Sequence, residues 1–150
     1  MSKELKAIII DDDSVNNRIV QLSLSRYGNI NDVRDFTSAT DALEFISNFR
    51  KEDFNSYPTI ILLDINMPIM NGWLFLEEYD KLDENIKFYY KIYMLSSSID
   101  WNDIELSKTN KNVYGYFVKP LLQDKVISLI NDIEPLVETD IEPLPSSKEE

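Results

Sequence analysis

The run Thr59-Ile60-Ile61-Leu62-Leu63 is apolar at almost every position and only strand-sized, and it constrains the fold more than any other feature. Successive residues of a strand point to opposite faces, so this run places apolar side chains on both sides of its sheet. A sheet that is apolar on both faces must be covered on both, which is the arrangement of parallel sheets in α/β proteins. Ala7-Ile8-Ile9-Ile10 repeats the pattern near the start of the chain. Further strands are expected over 33–36, 91–95 and 114–118.

Helical spacing fills the intervals. Residues 14–27 carry Val15, Ile19, Leu22 and Leu24 with Gly28 as a C-terminal stop, and Thr37 or Ser38 can cap a second helix bearing Ala42, Leu43, Ile46 and Phe49. Asn71-Gly72 turns the chain into a third, with Leu74, Leu76 and Tyr79, and Gly72 is assigned the turn conformation that other residues resist. Residues 99–108 read as a polar helix, and 121–133 as a last one with Val126, Leu129, Ile130 and Ile133 inward, ended or kinked by Pro135. A fivefold β-α alternation with right-handed crossovers gives an α/β fold, a doubly wound five-stranded parallel sheet flanked by helices. The domain occupies 1–137, and the acidic, Pro/Ser-containing stretch 138–150 reads as a flexible tail too short for an effector domain.

The chain has no cysteine and no histidine, which removes disulfides, thiolate nucleophiles, Ser-His-Asp chemistry and the usual zinc ligands. Catalysis or metal binding must rest on carboxylates, hydroxyls, lysine and backbone oxygen, a donor set suited to Mg²⁺. The formal net charge of −12 repels a phosphate backbone, so no nucleic-acid partner is expected. No apolar run approaches the ~20 residues of a membrane span, and Met1 to Glu4 leave no room for a signal peptide ahead of the first strand. A cytoplasmic protein with no membrane contact is expected.

Ligands of doubly wound sheets bind beyond the carboxyl ends of the strands. The unusual residues of this chain sit there: Asp11, Asp12 and Asp13 after the first strand, Asp64 after the third, Ser96, Ser97 and Ser98 after the fourth, and Lys119-Pro120 after the fifth. Carboxylates gathered this closely repel unless a cation intervenes. Mg²⁺ would resolve the conflict, and a free carboxylate oxygen could then attack phosphorus while lysine neutralises the transferring group.

These segments resemble response-regulator receiver domains of two-component systems. The likeness is carried by Ile8-Ile9-Ile10-Asp11-Asp12-Asp13, by Leu62-Leu63-Asp64-Ile65-Asn66-Met67-Pro68-Ile69-Met70-Asn71-Gly72, by Ser96 after Met94-Leu95, and by Tyr116-Phe117-Val118-Lys119-Pro120. It spans about 6–133 and implies the CheY-like, flavodoxin-like topology. The resemblance makes Asp64 the phosphoacceptor, Asp12 the direct Mg²⁺ ligand and Asp11 a ligand through water, with the Asn66 carbonyl completing the protein's share of the shell. Lys119 would contact the phosphoryl oxygens, Ser96 would move toward the phosphoryl group, and Tyr116 would turn inward with it. The bond before Pro120 is cis in the family. Implied partners are a sensor histidine kinase or histidine phosphotransfer protein and a downstream protein. The chain would be a monomer, or a weak homodimer through the surface of 99–132, which is also the face expected to change on phosphorylation.

Other readings stand beside this one. Asp13 is expected to cap a helix or face solvent rather than bind metal. Ser98 and Asn66 match positions that modulate hydrolysis, Ser97 stands where a smaller residue is usual, and 50–57 and 83–91 are slightly long, away from the site. Phe88, Tyr89 and Tyr90 read as local packing, and Trp73 and Trp101 as packing or interface residues. An aspartyl-nucleophile, Mg²⁺-dependent phosphohydrolase is the alternative enzyme, but such enzymes resemble a spaced DxD pattern with the nucleophile on strand one, whereas these acids are contiguous. A receiver-like module that signals by binding alone is the third possibility.

Overall fold

Five strands, β1 (Lys6–Ile10), β2 (Asp32–Phe36), β3 (Thr59–Leu63), β4 (Tyr90–Ser96) and β5 (Val113–Val118), pair in parallel in the order β2-β1-β3-β4-β5. The structure, a computed structural model, describes residues 3–137. The acidic stretch 138–150 therefore lies outside the described residues. Among these residues no helix is long and apolar enough to cross a membrane.

The double-sided apolar pattern divides between two cores. Ile8, Ile10, Ile61, Leu63, Ile92 and Met94 point to one face, where α2 (Ala39–Ser47) and α3 (Gly72–Asp80) cover them with Ala42, Ile46, Phe75, Leu76 and Tyr79. Their neighbours Ala7, Ile9, Ile60, Leu62, Tyr93 and Leu95 point to the other face, covered by Val20 and Leu24 of α1 (Ser14–Gly28) and Val126 and Leu129 of α6 (Gln123–Asp132). Each such large side chain, fully buried, contributes about 1.5–3 kcal/mol of transfer free energy. A short α4 (Glu84–Lys87) and a 3₁₀ turn (Lys51–Asp53) fall in the two long segments, before β4 and β3. Strand starts lie at the sheet edge opposite the strand ends, which keeps both insertions away from the acids. Phe49, Phe54, Tyr89 and Tyr90 form an aromatic cluster there, with Phe88 edge-on to Tyr89.

Several local expectations are corrected. Of the four apolar residues whose spacing marked α1 as a helix, only Leu24 is buried, while Val15, Ile19 and Leu22 are 69%, 51% and 56% exposed. The inward stripe is Asn17, Val20 and Leu24, because Asn17 has buried work to do at the acid cluster. Gly28 does not stop α1. Asn29 does, in the left-handed conformation at φ 54°, while a Cβ on Gly28 would meet Ile130 Cδ1 at 2.7 Å, so the glycine lets α6 approach. In α3 it is Phe75, with Leu76 and Tyr79, that is buried, and Leu74 is exposed. Helix α5 (Trp101–Thr109) packs beside β5 and buries only Ser107, which accounts for its polar sequence. Other expectations hold: Ser38, one of the two candidate caps, caps α2, and α6 stops at Asp132, before Pro135.

Candidate functional site

Three site residues are fixed by the sheet itself, each being the next rung after a strand ends. The Asp11 N–H donates to the Phe36 carbonyl (3.0 Å), the Asp64 N–H to the Ile10 carbonyl (2.9 Å), and the Lys119 N–H to the Ser96 carbonyl (2.9 Å). Their side chains thus start from ladder positions rather than from loose loops, and they converge. Carboxylate oxygens of Asp11, Asp12 and Asp64 lie within 4.8 Å of one another. Lys119 Nζ sits 2.6 Å from Asp11 Oδ2 and 3.7 Å from Asp64 Oδ2.

Asp11 and Asp64 are buried and Asp12 is exposed. Both oxygens of Asp11 are engaged: Oδ1 accepts from the Asp13 N–H (2.9 Å), and Oδ2 accepts from Asn16 Nδ2 (3.0 Å) as well as from Lys119. One ammonium cannot neutralise three carboxylates. Asp64 accordingly has its pKa pushed up, first by burial and then by the charge of Asp11, against the opposing pull of Lys119, the Ile65 N–H and the Ser96 hydroxyl. Three clustered carboxylates offer hard oxygen donors and a surplus of negative charge, so the residues present fit a hard divalent cation. Asn66 lies exposed in the loop after Asp64, two residues along the chain.

The loops around Asp64 are closely determined. Asp13 caps α1, its side chain accepting from the Asn16 N–H at 3.0 Å. Asn71 caps α3 by accepting from the Leu74 N–H at 2.9 Å. Gly72 is not in a left-handed turn conformation, contrary to expectation; that conformation falls at Ile69, φ 70°. Glycine is required at position 72 because a Cβ there would meet the Asp64 carbonyl oxygen at 2.4 Å. Ser96 is fully buried, and its hydroxyl is one of the groups that pull the Asp64 pKa down. Tyr116 is half-buried and donates to the Ser98 carbonyl at 2.8 Å. The Lys119-Pro120 peptide is cis.

Three participants went unnoticed in the sequence: Asn16, Asn17 and Asp103. Asn16 and Asn17 hold Asp11, the latter through Nδ2 to its carbonyl at 2.8 Å; two amides in the first turn after an acid run were a usable signal. Trp73, read from the sequence only as a packing or interface residue, meets Asp103 across 30 residues, and Asp103 gave no local signal at all.

Comparison with known proteins decides the family. The sequence profile of the response regulator receiver domain matches residues 7–131. The chain belongs to this family. Receiver domains are signalling phosphoacceptors of two-component systems rather than classical enzymes. This receiver domain is 30% identical over 120 residues to the chemotaxis protein CheY-3 of Vibrio cholerae, covering 80% of this chain and 84% of that protein. It is 29% identical over 133 residues to a probable transcriptional regulator, ycf27, of Porphyridium aerugineum, covering 89% of this chain but only 49% of that relative. The chain thus spans about half the length of that protein. Among solved structures, a response regulator receiver protein from Dyadobacter fermentans superposes with a TM-score of 0.75 at 30% identity, covering 85% of this chain and 95% of the other. A two-component response regulator from Cytophaga hutchinsonii gives 0.75 at 25% identity, covering 86% and 96%.

Proposed function

We propose that this receiver accepts a phosphoryl group on Asp64 from a phosphohistidine of a sensor kinase or phosphotransfer protein. The observation that carries the reading is the convergence of Asp64, Asp11, Asp12 and Lys119 on one sheet edge. An Asp64 carboxylate oxygen attacks phosphorus, the P–N bond to the donor imidazole breaks, and an acyl phosphate forms as the imidazole leaves with its electron pair and takes up a proton. Mg²⁺ held by Asp11, Asp12, Asp64 and the Asn66 carbonyl would offset the carboxylate repulsion and draw charge from the phosphoryl oxygens. Exposed Asp12 suits direct contact with the ion. Asp11, already bonded through both oxygens, suits contact through water. Lys119 would leave Asp11 for a phosphoryl oxygen, and the Ser96 hydroxyl would donate to another. Water attack on phosphorus later returns Asp64 and ends the signal.

Val15, Ile19 and Leu22 support the partner assignment. They form an exposed apolar stripe on α1 that starts beside the acids, a surface on which a donor protein can pack. The output is a second protein contact rather than nucleic-acid binding, in keeping with the net charge of −12. We assign the whole of 1–137 to the receiver unit, working in the cytoplasm.

The test is intact-mass spectrometry after incubation with acetyl phosphate, with and without Mg²⁺. One phosphoryl adduct that needs Mg²⁺ and is lost in Asp64→Asn is expected. No adduct, there or with several histidine kinases, would leave the chain a receiver that signals by binding alone.

A further inference from the structure

Asp103 stands outside the acid cluster, in the first turn of α5, yet it is bonded to the loop after β4 and to the first turn of α3. Its Oδ2 accepts from the Ser98 hydroxyl at 2.7 Å, and its Oδ1 accepts from the Trp73 indole N–H at 3.3 Å. Ser98 belongs to the loop after β4. Its N–H donates to Ser96 Oγ at 3.2 Å, and its carbonyl accepts from the Tyr116 hydroxyl at 2.8 Å. The Ser96 hydroxyl is in turn near enough to the Asp64 carboxylate to pull its pKa down. Trp73 belongs to the other side, following Gly72, whose N–H donates to the Ile65 carbonyl at 2.8 Å and whose Cα lies against the Asp64 carbonyl.

An acid in the first turn of a helix is ordinarily explained by capping or by the helix dipole. Capping is already provided here by Asp100, whose side chain accepts from the Asn102 N–H at 2.8 Å. Both Asp103 oxygens are turned away from the helix, toward Ser98 and Trp73. Hydrogen bonds to an ionised acceptor are roughly twice as strong as neutral ones, so one half-buried carboxylate is well suited to clamp the loop after β4 to the start of α3.

We propose that Asp103 is a positioning residue for phosphoryl transfer: through Ser98 it fixes Ser96 and Tyr116 so that the Ser96 hydroxyl is aimed at Asp64 before the phosphoryl group arrives. This rests on the reading of Asp64 as the phosphoacceptor. Donors placed in advance stabilise developing charge without reorganising at the moment of reaction. Losing the clamp should therefore slow transfer while leaving metal binding intact, since Asp103 touches none of Asp11, Asp12, Asp64 and Asn66 directly and reaches the Asp64 carboxylate only through Ser98 and Ser96.

The experiment measures the Asp64 labelling rate at saturating acetyl phosphate, and the Mg²⁺ dissociation constant by calorimetry, in wild type, Asp103→Ala, Ser98→Ala and the double variant. Each single change is expected to lower the limiting rate about five- to tenfold, below the loss seen when a direct oxyanion donor is removed. The double variant should be no slower than Asp103→Ala, because both changes remove one interaction. Mg²⁺ affinity should not change, and Trp73 emission, read in a Trp101→Phe background, should shift in Asp103→Ala but not in Ser98→Ala. Ser98→Ala breaks the clamp without leaving a carboxylate vacancy, so it tests the idea even where Asp103→Ala folds poorly. Labelling as fast as wild type in the single variants, a parallel loss of Mg²⁺ affinity, or additive effects would overturn the proposal alone. A wild type that takes no phosphoryl group would overturn the receiver reading and this proposal with it.

Discussion

Replacing Gly72 by alanine should damage stability and phosphorylation together, although glycine-to-alanine changes in helices usually help. Gly72 opens α3, where alanine would ordinarily be favoured by about 0.5–1 kcal/mol. Here the new Cβ would stand 2.4 Å from the Asp64 carbonyl oxygen, 3.0 Å from Ile65 Cα and 3.2 Å from the Asp64 carbonyl carbon. All three are backbone atoms, so no rotamer change relieves the contact. Relief requires α3 or the end of β3 to move by roughly 0.6–1 Å, an overpacking distortion that costs about 1–3 kcal/mol. At the middle of both ranges, net destabilisation of about 1 kcal/mol remains after the helix gain. The movement falls on Asp64, where a displacement of ~1 Å can cost up to about 10²-fold in rate. Urea unfolding and the acetyl phosphate labelling rate measure the two effects. Gly115→Ala is the control, since its Cβ would meet only the Tyr93 ring, at 3.0 Å. A Gly72→Ala protein as stable as wild type and labelled as fast would refute the reasoning.

Two further outcomes test the fold. Leu24→Ala on α1 should cost about 2–5 kcal/mol, whereas Leu22→Ala should stay within about 0.5 kcal/mol; equal losses in denaturant titration would return Leu22 to the core. Asp80, at the end of α3, has its pKa lowered to about 2, chiefly by the Asn112 amide and then by Lys87. Because the folded value is the depressed one, its stabilisation is present above the ordinary carboxylate pKa and is lost as pH falls toward about 2. Asp80→Asn should therefore be less stable than wild type at neutral pH, by no more than ~1 kcal/mol for so exposed a group. The gap in thermal midpoint should close between about pH 4 and 2, and a gap that persists at the acid end would assign the effect to something other than ionisation.

The strands and the site were legible because the same pattern encodes both. A run such as Ile60 to Leu63 can sit only between two covered faces, and a charge at its end, Asp64, can only be at the sheet edge. Helical period was legible too, but not which face turned inward. On α1 the apolar count favours Val15, Ile19 and Leu22, yet the buried stripe contains Asn17, a polar residue whose place is justified by a partner on another element. Gly72 was singled out correctly and explained wrongly, because a close approach of backbone is a tertiary fact while φ is a local one. Asp103 and Trp73 are the limiting case: each looks ordinary until β4, α3 and α5 are assembled.

Helix α1 shows why a sequence pattern can mislead in an informative way. Its inward side donates from Asn17 to the Asp11 carbonyl, and from Asn16 to the Asp11 carboxylate, so the helix is a fixed support for the acid pair. Its outward side keeps Val15, Ile19 and Leu22 in water, where they add nothing to the core. A helix selected only for stability would turn those residues inward and put polar ones in their place. The inversion makes sense if a phosphodonor packs on that surface, because the element it would touch is the one that orients Asp11. Docking and the geometry of the acid cluster are then joined through a single rigid helix, with one hydrogen-bonded residue, Asn16, between the contact surface and the carboxylate that Lys119 must release.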